Sequence, residues 1–179
     1  MVQHCYFNLD PHKISDNCVK IKGVRQIIIF KGAVPYGKKI LVAYDGSELS
    51  QQAVREAKTN ATEHPDTVIH VITVIYATGP VTNTVFMRSI GHELAEQYES
   101  EIAKVKDELE AEDYSVETKV IVGESNRNPG AAICDYAKDM DAELIIIGNR
   151  GLGGMKKLLL GSVSDYVVHH SACPVLIMK

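Results

Sequence analysis

Residues 144–164 read Leu-Ile-Ile-Ile-Gly-Asn-Arg-Gly-Leu-Gly-Gly-Met-Lys-Lys-Leu-Leu-Leu-Gly-Ser-Val-Ser. The apolar run Leu144–Ile147 has the composition of a strand covered on both faces, as strands of a parallel sheet are. The glycines that follow break the strand, and Gly161-Ser162 opens a helix of about two turns carrying Val163, Tyr166 and Val167. The chain thus passes from a buried strand through a glycine loop into a helix start, the connection from which parallel βαβ units are built.

The same alternation extends outward on both sides. Lys39–Tyr44 reads as a first strand, and Asp45-Gly46-Ser47 turns the chain into a helix over 48–62. Ser47 is its N-cap, and Ala53, Val54, Ala57 and Ala61 form its inner face. Val68–Ile75 is almost continuously apolar and reads as a central strand; Tyr76–Arg88, with Gly79 and Pro80, reads as a loop. Leu94, Tyr98, Ile102, Val105 and Leu109 recur at helical spacing, and Val116–Val122 alternates polar and apolar residues as a strand should. Ala131, Ala132, Ile133, Tyr136, Ala137 and Met140 give a further helix face, and Cys173–Met178, with Pro174 near its start, a fifth strand.

This alternation predicts an α/β fold: a doubly wound, five-stranded parallel sheet of order 3-2-1-4-5, Rossmann-like, with helices on both faces and ligands at the strands' carboxyl ends. Residues 37–179 carry the rhythm, and residues 1–36 are read as an N-terminal extension outside the core fold. Within it Val24–Phe30 suits a short strand, but nothing nearby in the sequence would bury it. Because Met87 is the first methionine after Met1, and Val34 stands where a domain could begin, residues 1–33 are read as a translated upstream stretch.

Composition narrows the function classes. A chain of 179 residues with 45% hydrophobic and 23% charged side chains can bury roughly two thirds of its unfolded surface without a staple. The net charge of −4 argues against a surface built to neutralise a phosphate backbone, so no nucleic-acid partner is expected. No apolar run approaches the roughly 20 residues of a membrane span, and no secretory leader is evident, so the reading is cytoplasmic with no membrane association. Cys5, Cys18, Cys134 and Cys173 have neither zinc-site nor disulfide-framework spacing.

The chemistry lies in the glycine segment. Gly148 and Gly151 let a ligand approach the main chain, and the start of the last helix offers unpaired N–H groups and a positive dipole end to an anion. Ser162 or Ser164 can add a hydroxyl, and Arg150, Lys156 or Lys157 a charge. These are the requirements of a phosphate chain. Other candidates fail on geometry. Gly32–Lys39 nearly spells a phosphate loop, but Lys39 replaces the hydroxyl residue and a strand follows instead of a helix. His169 and His170 are adjacent, unlike the i, i+4 pair of a helical metal site, and no metal ligands are assigned.

The spacing Gly148-xx-Gly151, nine residues, then Gly161-Ser162 resembles the glycine motif of ATP-binding members of the universal stress protein family. The likeness covers Lys38–Lys179, with its strongest blocks at Lys38–Ser47, Leu144–Val168 and Cys173–Lys179. It implies that Asp45 lies against the adenosine and that the Val74 backbone meets the adenine. It places Gly148 and Gly151 on the ribose and phosphate side and Gly161, Ser162 and Val163 at the phosphate-binding helix start; Asn149, Arg150, Gly153 and Ser164, in the same segment, are also read as nucleotide-binding. Asn149 departs from the hydroxyl residue many members carry there. The implied ligand is ATP or another adenine nucleotide with Mg²⁺ or Mn²⁺, and the implied assembly a homodimer through the last strand, Val175, Leu176 and Ile177, alongside an unidentified protein partner. The expected role is a nucleotide-responsive dimeric module in stress response. No catalytic residue is assigned; the alternative is a slow ATP hydrolase or nucleotide transferase using the same pocket.

Overall fold

The computed structural model describes residues 18–20, 26–29, 38–75, 84–123, 127–151 and 160–179. In chain order these form β1 (Cys18–Lys20), β2 (Gln26–Ile29), β3 (Lys39–Ala43), α1 (Glu48–Glu63), β4 (Val68–Ile75), α2 (Thr84–Glu110), β5 (Ser115–Val122), α3 (Pro129–Asp139), β6 (Leu144–Gly148), α4 (Ser162–His170) and β7 (Val175–Met178). One sheet joins all the strands in the order β1-β2-β7-β6-β3-β4-β5. From β7 to β5 every pair is parallel, so these strands, counted along the chain from β3, have the predicted order 3-2-1-4-5.

The core has two layers because successive side chains of a strand point to opposite faces. Val42 and Ile146 pack with Ala53, Ala57 and Leu109 under α1 and α2. Leu41, Ile145 and Ile147 pack with Ile133, Ala137 and Val167 under α3 and α4. Leu41, Val42, Ile145 and Ile146 are wholly shielded from solvent, each contributing on the order of 2 kcal/mol of hydrophobic stabilisation. Ala53 and Ala57 are also wholly shielded, and their short side chains let α1 lie close on the sheet.

Two sequence expectations change. Helix α2 begins at Thr84, inside the stretch read as the Tyr76–Arg88 loop; residues 76–83 lie outside the described residues. Gly79 and Pro80 hid this start, because the apolar stripe could be traced only from Leu94, and a β-branched Thr84-Val85 beginning is a weak propensity signal that context overrides. The strand read at Val24–Phe30 forms as β2, and it does have a neighbour: β7, with Gln26 opposite Met178 and Ile29 opposite Val175, antiparallel. That neighbour lies at the other end of the chain, where no local pattern could reveal it. β1 pairs in turn with the far side of β2.

Candidate functional site

The strand order reverses between β3 and β6. From β3 the chain builds outward to β4 and β5, from β6 outward to β7, so a crevice opens above the carboxyl ends of the two central strands. A cleft of about 530 Å³ occupies it.

On the β3 side the turn into α1 fixes the cleft's carboxylate. Asp45 Oδ1 accepts the Ser47 N–H at 3.1 Å, and Ser47 Oγ accepts the Ser50 N–H at 3.2 Å as the N-cap of α1. The second oxygen, Oδ2, is directed at Gly151: a Cβ built on Gly151 would land on it. Gly148 is similarly confined, since a Cβ there would lie 3.0 Å from both Leu49 Cβ and the Arg150 carbonyl oxygen. Tyr44, which also faces the cleft, has its pKa pushed up by burial and secondarily by the charges of Glu101, Glu108 and Asp45.

Across the cleft, both ends of the glycine segment converge on the Asn149 carbonyl. It accepts the Gly161 N–H at 2.7 Å and the Ser164 hydroxyl at 2.9 Å, while the Asn149 N–H donates to the Met178 carbonyl at 2.7 Å. The Ser164 hydroxyl also lies 3.1 Å from the Gly161 carbonyl, so its proton is committed within the fold; Ser162 is exposed. Helix α4 has Gly161 as its N-cap and no side-chain cap, whereas Ser47 caps α1 and Asn128 caps α3. Its first-turn N–H groups and dipole are therefore left for an anion in the cleft. Asn128 steadies this end as well: Oδ1 accepts the Gly130 N–H at 2.8 Å while Nδ2 donates to the Ser162 carbonyl at 3.2 Å.

The third element is main chain from β4. Strand β3 ends at Ala43, opposite Ile72, while β4 continues to Ile75. The Ile72 carbonyl faces β3, accepting the Tyr44 N–H at 2.8 Å, and the Ile75 carbonyl faces β5, accepting the Gly123 N–H at 2.8 Å. By strand alternation the Val74 N–H and C=O point to the β3 side, beyond the end of β3 and into the cleft. An adjacent donor and acceptor on one residue match the edge of a heterocycle that carries both.

An open helix start, a glycine-confined loop and a strand-end amide pair thus converge at the switch point of a 3-2-1-4-5 sheet. The universal stress protein family profile matches residues 37–179. The chain belongs to this family. Universal stress protein Sll1388 of Synechocystis is 34% identical over 156 residues, 80% of this chain and 98% of its own length. The solved structure of MJ0577 from Methanocaldococcus jannaschii superposes with a TM-score of 0.70 at 30% identity, covering 79% of this chain and 95% of that one. A universal stress protein solved in complex with cAMP has a TM-score of 0.55 at 24% identity over 80% of this chain and 97% of its own, a likeness of fold.

In this universal stress protein, Asp45, Val74, Gly148, Arg150, Gly151, Gly161, Ser162, Val163 and Ser164 all line the cleft. Asn149 does not. It is buried, and its main chain ties the loop to the start of α4 and to β7. Gly153, Lys156 and Lys157 lie outside the described residues. Sequence reasoning missed Tyr44, Ser47, Ser50, Pro129, Ile133 and Leu160 as cleft-lining residues. The signal for Pro129 was present: Asn128-Pro129 is an N-cap followed by proline in the first helical turn. Among the described residues no three His, Cys, Asp or Glu side chains gather as a metal site, and no helix is long and apolar enough to cross a membrane.

Proposed function

We propose that this universal stress protein binds an adenine nucleotide, with ATP as its principal ligand, and works in the cytoplasm as a nucleotide-responsive homodimeric module of the stress response. The observation that carries this reading is the uncapped start of α4 opening into the same cleft as the Gly148 and Gly151 loop and the Val74 amide pair. The phosphates meet the N–H groups of Ser162 and Val163, the exposed Ser162 hydroxyl and the Arg150 charge. The adenosine lies against Asp45, and its ribose and phosphates run along the Gly148 and Gly151 side of the loop. The adenine edge pairs with Val74, between the apolar side chains of Ile72 and Ile133. A Mg²⁺ or Mn²⁺ ion enters with the triphosphate, whose hard oxygens suit it, as do the oxygen donors of Ser162 and Asp45.

Residues 37–179 are the nucleotide-binding unit in this reading, an extent the family match supports, while β1 and β2 from residues 1–36 join its sheet without lining its cleft. The dimer forms through Val175, Leu176 and Ile177 of β7, an edge that β2 covers in this structure.

Isothermal titration of the full chain with ATP and Mg²⁺, and separately with AMP, tests the proposal. Saturable heat at one nucleotide per chain is expected, with a weaker constant for Ser162→Ala. Folded protein that evolves no binding heat with any adenine nucleotide refutes it.

A further inference from the structure

Strand β7 consists of Val175, Leu176, Ile177 and Met178, all buried, and β6 pairs with one of its edges. The other edge of so apolar a strand is a row of backbone donors and acceptors, a template for pairing with any suitable strand. Here β2 fills it residue for residue, from Gln26 opposite Met178 to Ile29 opposite Val175. β1 then covers β2 with three residues ending in Lys20. A short outer strand bearing lysine is one of the ways natural sheets end without inviting further pairing. The hairpin therefore converts a four-residue apolar edge into a blunt one.

Two properties of β2 match those of a second copy of β7. Copies of one strand that pair across a two-fold axis perpendicular to their sheet run antiparallel, and β2 is antiparallel to β7 although every pair from β7 to β5 is parallel. Gln-Ile-Ile-Ile of β2 and Val-Leu-Ile-Met of β7 also share length and apolar character.

We infer that β2 is a built-in competitor for a self-association edge: β7 pairs either with β2 of its own chain or with β7 of a second copy, never with both. The second occupant rests on the dimer proposed above; the competition rests on the β2–β7 ladder itself. A strand tethered in the same chain acts at an effective concentration on the order of millimolar. At micromolar protein a second copy is about a thousandfold more dilute, so for comparable contacts the hairpin wins and the nucleotide-free chain is a monomer. Because each dimer frees two β7 edges, displacing β2 tightens it by the square of the per-chain closure constant, so a hairpin closed about ten times as often as open gives about a 10²-fold gain.

Backbone N–H groups alternate in direction along a strand, so of Ile27 and Ile28 one donates toward β7 and the other toward β1. Proline at both removes the Ile27 donor toward β7 and the Ile28 donor toward β1, and its fixed ring disrupts both ladders. The full chain and its Ile27→Pro/Ile28→Pro variant are compared by sedimentation over a concentration series, with hydrogen exchange read across Val175–Met178. Circular dichroism verifies folding, and Ile27→Gly/Ile28→Gly replaces the proline variant if that does not fold. The expected result is a monomeric wild type and a dimeric variant, its dissociation constant lowered by the factor above and its β7 amides losing protection on dilution. Wild type and variant that dimerise equally overturn the role of β2 and leave the dimer proposal standing. A folded variant that stays monomeric, with outward β7 amides exchanging, overturns both. A variant dimer whose β7 amides exchange as in a monomer puts the contact on another face and overturns the inference.

Discussion

Replacing Gly151 by alanine adds a methyl group where Asp45 Oδ2 already sits. Asp45 cannot swing aside without cost, because Oδ1 holds the Ser47 N–H at 3.1 Å in the turn that starts α1. The conflict is relieved either by withdrawing the loop from the cleft or by breaking that hydrogen bond. Overpacking of this kind costs about 1–3 kcal/mol. At about 1.4 kcal/mol per tenfold, that is roughly a 5- to 150-fold loss of ATP affinity if the bound state requires loop and carboxylate together. Gly151 is exposed, so the loop can retreat without opening the core, and the urea midpoint should move little. Titration calorimetry at fixed Mg²⁺ measures the effect in four proteins: wild type, Gly151→Ala, Asp45→Ala and the double variant. Without the carboxylate the methyl group has nothing to strike, so Gly151→Ala should cost less than about threefold in the Asp45→Ala background. Equal losses in both backgrounds refute the reasoning and leave Gly151 as a mere loop glycine.

Three further predictions follow from partners and burial. Ser162→Ala should weaken ATP binding about tenfold at unchanged stability, whereas Ser164→Ala, which removes buried bonds to Asn149 and Gly161, should lower unfolding free energy by about 1–2 kcal/mol; calorimetry and urea titration of each variant separate the two roles. His70 has its pKa lowered by burial, with Lys39 adding to the effect and Glu117, 3.5 Å away but 67% exposed and so solvent-screened, opposing it. The unfolded chain therefore takes up a proton near the ordinary value of 6.5 and the native one only at lower pH, so stability should fall as pH drops below that value and level off once native His70 is protonated. His70→Gln should flatten that slope in urea midpoints followed from neutral pH downward, and an unchanged slope assigns it to other groups. Cys134, its pKa pushed up to about 11 by burial and then by Asp135 and Cys173, has almost no thiolate at neutral pH; peptide mapping after brief alkylation should find it far slower than in urea-unfolded protein.

How much of this was legible depends on how far each signal travels along the chain. Strands buried on both faces, such as Leu144–Ile147, announce themselves as apolar runs, and the Leu94–Leu109 stripe announces α2 by its period. The glycine positions were legible because a spacing is a local property. The cleft walls were not: Ile133 reaches the site from α3 and Ser50 from α1, brought there by packing between elements distant in sequence. Asn149 shows the limit most clearly. Its place in the motif suggested a ligand contact, but it is the main chain of that residue, with the side chain buried, that holds the loop to α4. The partner of β2 was invisible for the same reason, since a four-residue apolar run has no feature that names which edge it will join.

Asn149 also links the two ends of the proposal. Its carbonyl gathers Gly161 and Ser164, the residues that set the start of α4, and its N–H is bonded to Met178, the last residue of β7. Met178 stands opposite Gln26 in the ladder to β2. A nucleotide that draws the loop and α4 together therefore acts on a residue whose main chain is bonded to the β6-facing side of β7, the strand whose opposite edge is contested. If binding shifts Asn149 against Met178, it biases the choice between β2 and a second copy, and the choice must change nucleotide affinity by the same factor. That reciprocity is what would make a binding cleft without an assigned catalytic group a responsive one: the chemistry stays at the switch point, and the readout lies one strand away.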